Sequence, residues 1–357
     1  MMTYIGERLK GARMRAGLSL RDLAKQVDVS AQAISKYERG LDVPSSTVLI
    51  RLAKALRVRV EALMRPTQIS LSQPSYRSHT SLLARDEKAI QSKVQDWLER
   101  YLVVETLVES QGKFSYPNIR REITSLNDAE RVARELRETW QLGLDPIENL
   151  IEVLEQCGIK VGMVEGTHHF DALTLWANDM IPVIVVKREV SGDRQRLSIA
   201  HELGHLMLVM PKKWDRKDIE KAAYRFGGAF LVPDAAAIQE LGEHRQRLDL
   251  YELHLLKHKY GMSMQAWIMR AHDLGIISDA TASNLYRQFR SEGWHREEPG
   301  DKFPSEKPDR MERLLSRALA ENLISETRAE ELLGSPLSEF WEEASKQHNG
   351  LPLPANP

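Results

Sequence analysis

The chain has 357 residues, of which 42% are hydrophobic and 28% are charged. This composition is typical of a globular protein, and the length exceeds what one compact core usually holds, so two or three domains are expected. We find no apolar run long enough to span a membrane and no signal peptide, which favours a cytoplasmic protein without membrane contact. The single cysteine, Cys157, excludes an internal disulfide and any cysteine-rich zinc site.

The net charge of −1 hides an uneven distribution along the chain. Residues 1–66 contain 13 Lys and Arg against 6 Asp and Glu, a net charge of +7, so the remainder carries −8. A basic head joined to an acidic body indicates that the head alone contacts a polyanion.

Residues 4–64 show the pattern of five short helices separated by tight turns. Helix stop and cap signals separate the first three helices, at Gly17-Leu18-Ser19 and at Asp28-Val29-Ser30, and Gly40 ends the third. Residues 67–85 begin with a stretch rich in Ser, Thr, Gln and Pro, which is typical of a linker.

The head resembles the Xre/lambda-repressor-like helix-turn-helix family through Leu18–Ala24 and Val29–Gly40. The resemblance implies a five-helix domain over residues 1–66 that binds double-stranded operator DNA, and we expect a homodimer. A protein-binding module of three to five helices is the alternative interpretation of the same pattern.

In this family the third helix enters the major groove. The residues of that helix expected to face the bases are Gln32, Ala33, Ser35 and Lys36. Candidate phosphate contacts are Arg21 and Arg39, together with Arg13, Arg15 and Lys25. Glu38 is expected to hold the motif together rather than to touch DNA.

The hydrophobic pattern of the remaining chain predicts an α+β fold that is mostly helical. Amphipathic helices are predicted over 86–108, 128–142 and 145–156, strands over 159–164, 172–177 and 181–186, and helices over 193–210 and 216–231. On the first of these helices, Trp97, Tyr101 and Leu102 are expected to be core or dimer contacts. We predict a domain over 86–242 and a helical C-terminal region over 243–357.

The strongest chemical signal is the run Ala200-His201-Glu202-Leu203-Gly204-His205. Positions four apart share one face of a helix, so His201 and His205 project toward one point. Two neutral imidazoles at this spacing can hold one Zn²⁺, with Glu202 beside it as a general base. The alternative is a buried helix whose histidines bond to backbone or carboxylates.

A catalytic zinc site needs a third protein ligand, and Glu220 on the next predicted helix is the best candidate. Glu220 shares one helix face with Ala223 and Gly227, whose small side chains permit a close approach to the first helix. Asp218 faces elsewhere on that helix, and Asp215 is expected to cap its N-terminus.

The segments 193–205 and 220–233 resemble the ImmA/IrrE family of zinc metallopeptidases, as does the upstream Phe170-Asp171-Ala172-Leu173. The resemblance implies a zincin-like domain with a small sheet, in which two histidines and a glutamate bind zinc and Glu202 is catalytic. It also implies a partner regulatory protein as substrate. The family commonly has Asn where Tyr224 stands in this chain.

Two functions therefore follow from the sequence. The first is a DNA-binding regulator that carries a zinc endopeptidase, and the second is a non-proteolytic repressor or antitoxin-like regulator whose zinc domain senses or assembles. The residue that would stabilise the oxyanion is left open among His168, His169, His254, His258 and Tyr260.

Overall fold

A computed structural model describes residues 3–64, 69–72, 84–110, 114–165 and 170–347 of the chain. These residues form two compact units. The first, which we call the head unit, comprises Met1–Ser70, Ala84–Gly112 and Pro308–Pro357. The second, which we call the body unit, comprises Leu71–Leu83 and Lys113–Lys307.

The described part of the chain is mostly helical and contains three strands. In chain order its elements are α1 (Thr3–Arg15), α2 (Leu20–Val27), α3 (Ala31–Glu38), α4 (Ser46–Ala55), α5 (Val60–Met64), α6 (Ala84–Leu107), α7 (Leu126–Thr139), α8 (Leu150–Gln156), β1 (Lys160–Val164), β2 (Ala172–Ala177), β3 (Ile181–Lys187), α9 (Gly192–Met207), α10 (Arg216–Leu231), α11 (Asp234–Leu241), α12 (Leu250–Tyr260), α13 (Met264–Asp273), α14 (Asp279–Ser291), α15 (Arg310–Ala320), α16 (Glu326–Leu333) and α17 (Leu337–Gln347).

The first five helices confirm the prediction for residues 4–64. Ser19 begins α2 with a capping box, in which its hydroxyl accepts from the Asp22 amide and the Asp22 carboxylate accepts from the Ser19 amide. Leu23, Ile34 and Leu52 are fully buried and come from three different helices, so one small core holds the region together.

Helix α6 also belongs to the head unit, where it packs against α1, α15 and α16. Tyr101 is fully buried in a cluster with apolar residues of α15 and α16. Two buried carboxylates on α6 are paired, Glu99 with Arg8 of α1 and Glu105 with Arg310 of α15. The buried apolar side chains and the buried carboxylates of α6 therefore both have partners within this unit.

The compact units do not follow the predicted ranges 86–242 and 243–357. The sequence places α6 with the body, whereas its apolar and charged positions are covered by α1 and by the C-terminal helices. Sequence spacing shows that a helix is amphipathic, but it does not show which distant helix covers it. The division into functional domains over 1–66, 86–242 and 243–357, with a linker over 67–85, stays a prediction.

The body unit contains a three-stranded sheet with the order β1-β3-β2, in which β3 is parallel to β1 and antiparallel to β2. Val183–Val186 on the central strand are fully buried, as expected for a strand covered on both faces. Helix α9 packs against β2 and β3. The α+β fold and the His-Glu-x-x-His helix expected from the sequence are thus confirmed.

Glycines allow α9 and α10 to approach each other closely. A Cβ on Gly204 would lie 3.1 Å from the Ala223 carbonyl oxygen, and one on Gly227 would lie 3.1 Å from the His201 backbone nitrogen. The backbones of the two helices therefore meet where the sequence has small residues. The side chains that flank this crossing are brought together as a result.

A buried charge network holds α10 from its other side. The Glu130 carboxylate on α7 accepts a hydrogen bond from Arg225 of α10 at 2.6 Å and another from Arg270 of α13 at 2.8 Å. Arg225 also lies 3.1 Å from the Asp273 carboxylate. Two guanidinium groups thus meet two carboxylates, so no uncompensated charge is buried within this group of four.

We expect Gly227→Ala to destabilise the protein by about 1–3 kcal/mol, because the added Cβ would press on the backbone of α9. Gly228→Ala is the matched control: within the described residues its Cβ would meet only Arg270 Cδ, at 3.7 Å. That variant should be neutral or stabilising by up to about 1 kcal/mol. Urea unfolding measures both, and equal losses would contradict the close approach at Gly227.

Candidate metal centre

His201 and His205 lie one helical turn apart on α9 and face the same point. Their Nε2 atoms are 3.1 Å apart, and their ring planes are nearly perpendicular, at 86°. His201 is buried and His205 is half-buried. The spacing predicted from the sequence is therefore realised as a converging pair of imidazoles.

Glu220 on α10 completes a group of three potential ligands. Its Oε2 atom is 3.2 Å from His201 Nε2 and 3.8 Å from His205 Nε2, and the three ligand atoms all lie within 4.8 Å of one another. Tetrahedral zinc with bonds of 2.0–2.1 Å holds its ligand atoms about 3.3 Å apart. The separations therefore fit a small tetrahedral cation.

The hydrogen bonding of these groups also fits a metal. Among the described residues, both carboxylate oxygens of Glu220 are buried without a hydrogen bond of acceptable geometry, although Oε2 lies within ion-pair distance of both imidazoles. A carboxylate left in this state is costly unless a cation compensates it.

The two imidazoles keep Glu220 ionised. Burial by itself raises the pKa of this carboxyl group, but the close approach of the His201 and His205 imidazoles outweighs burial and lowers the pKa to about 2. The group thus presents a carboxylate, the form that binds a metal, at neutral pH.

Glu202 is held from the sheet. Its Oε2 atom accepts a hydrogen bond of 2.7 Å from the Thr174 hydroxyl of β2, and both residues are buried. Sequence reasoning missed Thr174, and the only signal for it was a hydroxyl in an otherwise apolar strand. Strand β2 therefore fixes the carboxylate that the sequence identifies as the general base.

Tyr224, the position at which the chain departs from the ImmA/IrrE pattern, lies against the site. Its ring centroid is 4.1 Å from that of His201, with the planes tilted by 44°. Burial, followed by the nearby charges of Glu220, Asp171 and Glu202, raises the pKa of Tyr224 to about 12. The phenol stays protonated at neutral pH. Its contact with His201 could not be predicted from spacing alone, because the two residues lie on different helices.

The weaker alternatives for the third ligand have other environments. Asp215 caps α10 by accepting a hydrogen bond of 2.8 Å from the Asp218 amide, as the sequence predicts. Asp218 is exposed and lies 3.9 Å from Lys221. Neither carboxylate joins the group around His201.

The proposed oxyanion candidates on α12 have partners of their own. His258 Nε2 lies 3.2 Å from the Asp301 carbonyl oxygen, and the Tyr260 hydroxyl donates to Glu240 at 2.9 Å. His254 packs against the His258 ring at 4.7 Å. Residues 168 and 169 lie outside the described residues.

The helix-turn-helix region presents several of its predicted DNA contacts to solvent. Gln32 and Lys36 are exposed on α3, Ala33 and Ser35 are half-buried beside them, and Arg21 and Arg39 are exposed. The hydroxyl of Ser30 caps the N-terminus of α3 by accepting from the Ala33 amide at 3.0 Å.

Two of the predicted phosphate contacts have internal partners instead. Arg13 donates to both carboxylate oxygens of Glu38, at 2.5 and 2.9 Å, which is the structural role expected for Glu38. Arg15 donates to the Ser92 hydroxyl at 3.1 Å. Both arginines therefore contribute to packing within the head unit.

Comparison with known proteins identifies two regions. Residues 9–63 match the family described as Helix-turn-helix, and residues 155–272 match the family described as IrrE N-terminal-like domain. Two uncharacterized HTH-type transcriptional regulators of Mycobacterium tuberculosis, from strains CDC 1551 and H37Rv, are each 34% identical to this chain over 91 residues. The alignment covers 24% of this chain and 65% of each relative, which is less than two thirds of the relatives' length.

A solved structure, the apo form of ComR from S. thermophilus, aligns with 98% of this chain and 100% of its own. The identity is 13% and the TM-score is 0.18, a value too low to indicate a shared fold. In the part of the chain that the structure describes, no helix has the length and apolarity needed to cross a membrane.

The two family matches together show that the chain combines an Xre-like helix-turn-helix region with an IrrE N-terminal-like domain of the ImmA/IrrE type.

Proposed function

We propose that this protein is a cytoplasmic, DNA-binding transcriptional regulator whose body unit is a zinc-dependent endopeptidase that cleaves a partner regulatory protein. The observation that carries the proposal is the convergence of His201, His205 and Glu220 beside a Glu202 carboxylate held by Thr174. The match to the IrrE N-terminal-like domain supports it, because the matched range contains all five residues.

Zinc is the metal that best suits this donor set. Imidazole nitrogen and carboxylate oxygen in a group of three, with a fourth position open, are typical of catalytic zinc. Zinc bound there supplies Lewis-acid polarisation of a peptide carbonyl and lowers the pKa of water at the site. The cysteine-free ligand set agrees with the composition of the chain, because its one cysteine, Cys157, lies outside the group.

The protein's own residues perform the proton transfers in this proposal. Glu202 accepts a proton from the attacking water and delivers it to the amine that leaves when the peptide bond breaks. The Thr174 hydroxyl fixes the orientation of the Glu202 carboxylate through a hydrogen bond of 2.7 Å. The Tyr224 ring restricts His201 from the side of α10, so Tyr224 acts as a positioning residue.

The head unit supplies DNA binding in this proposal. The cluster of Gln32, Lys36, Arg21 and Arg39 is exposed, and it lies in the part of the chain that carries a net charge of +7. A homodimer is proposed as well, since Leu41 and Ile50 of the head unit are 62% and 59% exposed and could be covered by a second copy.

We expect His201→Ala and Glu220→Ala to lose stoichiometric zinc, since each removes one of three ligands. Asp218→Ala is the matched control, because this exposed carboxylate lies on the same helix outside the group. Glu202→Gln should retain the metal. Elemental analysis of the purified full-length proteins measures all four, and full zinc occupancy in Glu220→Ala would overturn the ligand assignment.

Glu202→Gln tests the enzymatic part of the proposal. Removal of a general base lowers the rate of such reactions by about 10²–10⁴-fold, so the cleavage products seen with wild type should disappear. Mass spectrometry of new protein N-termini, in cells expressing either form, identifies those products. If the same products persist with Glu202→Gln, the peptidase assignment fails and the non-proteolytic regulator becomes the better description.

Duplex DNA binding should weaken as salt rises, because Lys and Arg release counterions from phosphates. Arg21→Ala and Arg39→Ala should each reduce the slope of log K against log salt by about 1. Lys54→Ala, an exposed lysine on α4 outside the predicted contacts, serves as the control. Fluorescence anisotropy with a duplex recovered by selection from random sequences measures the slopes, and an affinity that does not vary with salt would exclude phosphate-driven binding.

A further inference from the structure

The outer edge of strand β2, on the side away from β3, is partly occupied by this chain itself. Trp176 lies opposite Pro182, which has no N–H, so the main-chain groups of Trp176 point to the outer edge. There the Trp176 carbonyl accepts from the Ser72 amide at 2.8 Å, and the Trp176 amide donates to the Ser72 hydroxyl at 2.9 Å. Leu71 forms an antiparallel bridge with Ala177. Residues 71–72 thus pair with the outer edge of β2 at an isolated bridge.

The same outer edge leads to the candidate active site. Main-chain directions alternate along an antiparallel strand, so Thr174, two residues from Trp176, also directs its N–H and C=O to the outer edge. The Thr174 hydroxyl contacts Glu202. Within the described ranges, no main-chain group pairs with Thr174 on this edge. An extended peptide that paired there would pass next to the Glu202 carboxylate.

Aromatic side chains line the same part of the strand. The Trp176 ring packs with Phe114 and Tyr116, at centroid distances of 6.0 and 5.7 Å. Arg120 covers the Tyr116 ring at 4.2 Å. Because side chains of an added strand alternate between faces, every second side chain of a docked peptide would lie on the same face of the sheet, and one beside Trp176 on that face would meet this aromatic cluster.

We propose that Leu71 and Ser72 are an internal competitor that limits the docking of an extended protein substrate on the outer edge of β2. This inference rests on the proposed peptidase function. Both the internal segment and the substrate would use the main-chain groups of β2, so the same edge cannot hold both. The internal segment has the advantage of being tethered, which gives it a high effective concentration.

The pairing is suited to reversible release. At Ser72 it consists of one main-chain and one side-chain hydrogen bond beside the bridge between Leu71 and Ala177, and the net contribution of each such bond to stability is small. Leu71 directly follows Ser70, the last N-terminal residue of the head unit. The competing segment is therefore continuous in sequence with the part of the chain that carries the helix-turn-helix region.

Three substitutions at position 72 separate the contributions to this pairing. Ser72→Pro removes both the N–H and the hydroxyl, Ser72→Ala removes only the hydroxyl, and Ser72→Thr keeps both and serves as the matched control. All three are made in the full-length, zinc-loaded protein. Ser72→Ala keeps the test decisive if Ser72→Pro does not fold.

The first measurements use the Glu202→Gln background, in which cleavage cannot interfere. We expect amide exchange at Trp176 to be at least tenfold faster in Ser72→Pro and Ser72→Ala than in the parent and in Ser72→Thr. A fluorescent peptide with the sequence of residues 67–76 should bind Ser72→Pro at least tenfold more tightly than the parent. Unchanged exchange at Trp176 in both variants, or equal peptide affinity for all proteins, would overturn the pairing.

The competitor role needs one further measurement with Glu202 present. Ser72→Ala should raise the rate at which the partner protein is cleaved by several-fold, while Ser72→Thr leaves it unchanged. An unchanged rate in Ser72→Ala overturns the competitor role. Exchange and peptide binding do not require catalysis, so a failure of the peptidase assignment in the Glu202→Gln experiment is recognised separately from a failure of the pairing.

Discussion

The close crossing of α9 and α10 is the constraint on which the candidate site depends. His201 and His205 are on one helix and Glu220 is on the other, so the group of three exists only while the two backbones stay in contact. Gly204 and Gly227 make this contact possible, because a Cβ at either position would lie 3.1 Å from backbone atoms of the partner helix. The packing of the two helices and the convergence of His201, His205 and Glu220 thus depend on the same small residues.

The charges around α10 follow from this geometry. On one side of the helix, Arg225 is matched by Glu130 and Asp273, so the buried ions compensate one another. On the other side, Glu220 faces two imidazoles with no hydrogen bond of acceptable geometry in the described part of the chain. A buried carboxylate in that state is stabilised by a cation, so the second side is suited to binding and the first to structure.

The sheet contributes orientation rather than ligands. Thr174 belongs to β2, an outer strand, and its hydroxyl fixes Glu202 while its main-chain groups stay directed away from β3. The strand therefore connects the position of the Glu202 carboxylate with an edge on which an extended chain can pair. Leu71 and Ser72 use part of that surface, which links the segment after the helix-turn-helix region to the chemistry of the body unit.

The sequence by itself determined the local elements and the three residues that converge at the candidate site. Helical spacing placed His201 and His205 on one face, small residues placed Glu220 on the face that meets them, and cap signals such as Ser19 marked the helices of the head. These inferences succeed because they depend on contacts within one element or between neighbouring elements. Only the tertiary structure decided that α6 packs with the C-terminal helices, that Thr174 holds Glu202, that Tyr224 contacts His201 and that Arg13 pairs with Glu38. Apart from the contact between Tyr224 and His201, which lie on consecutive helices, each of these joins elements distant in the chain, where periodicity shows which face is buried but not what buries it.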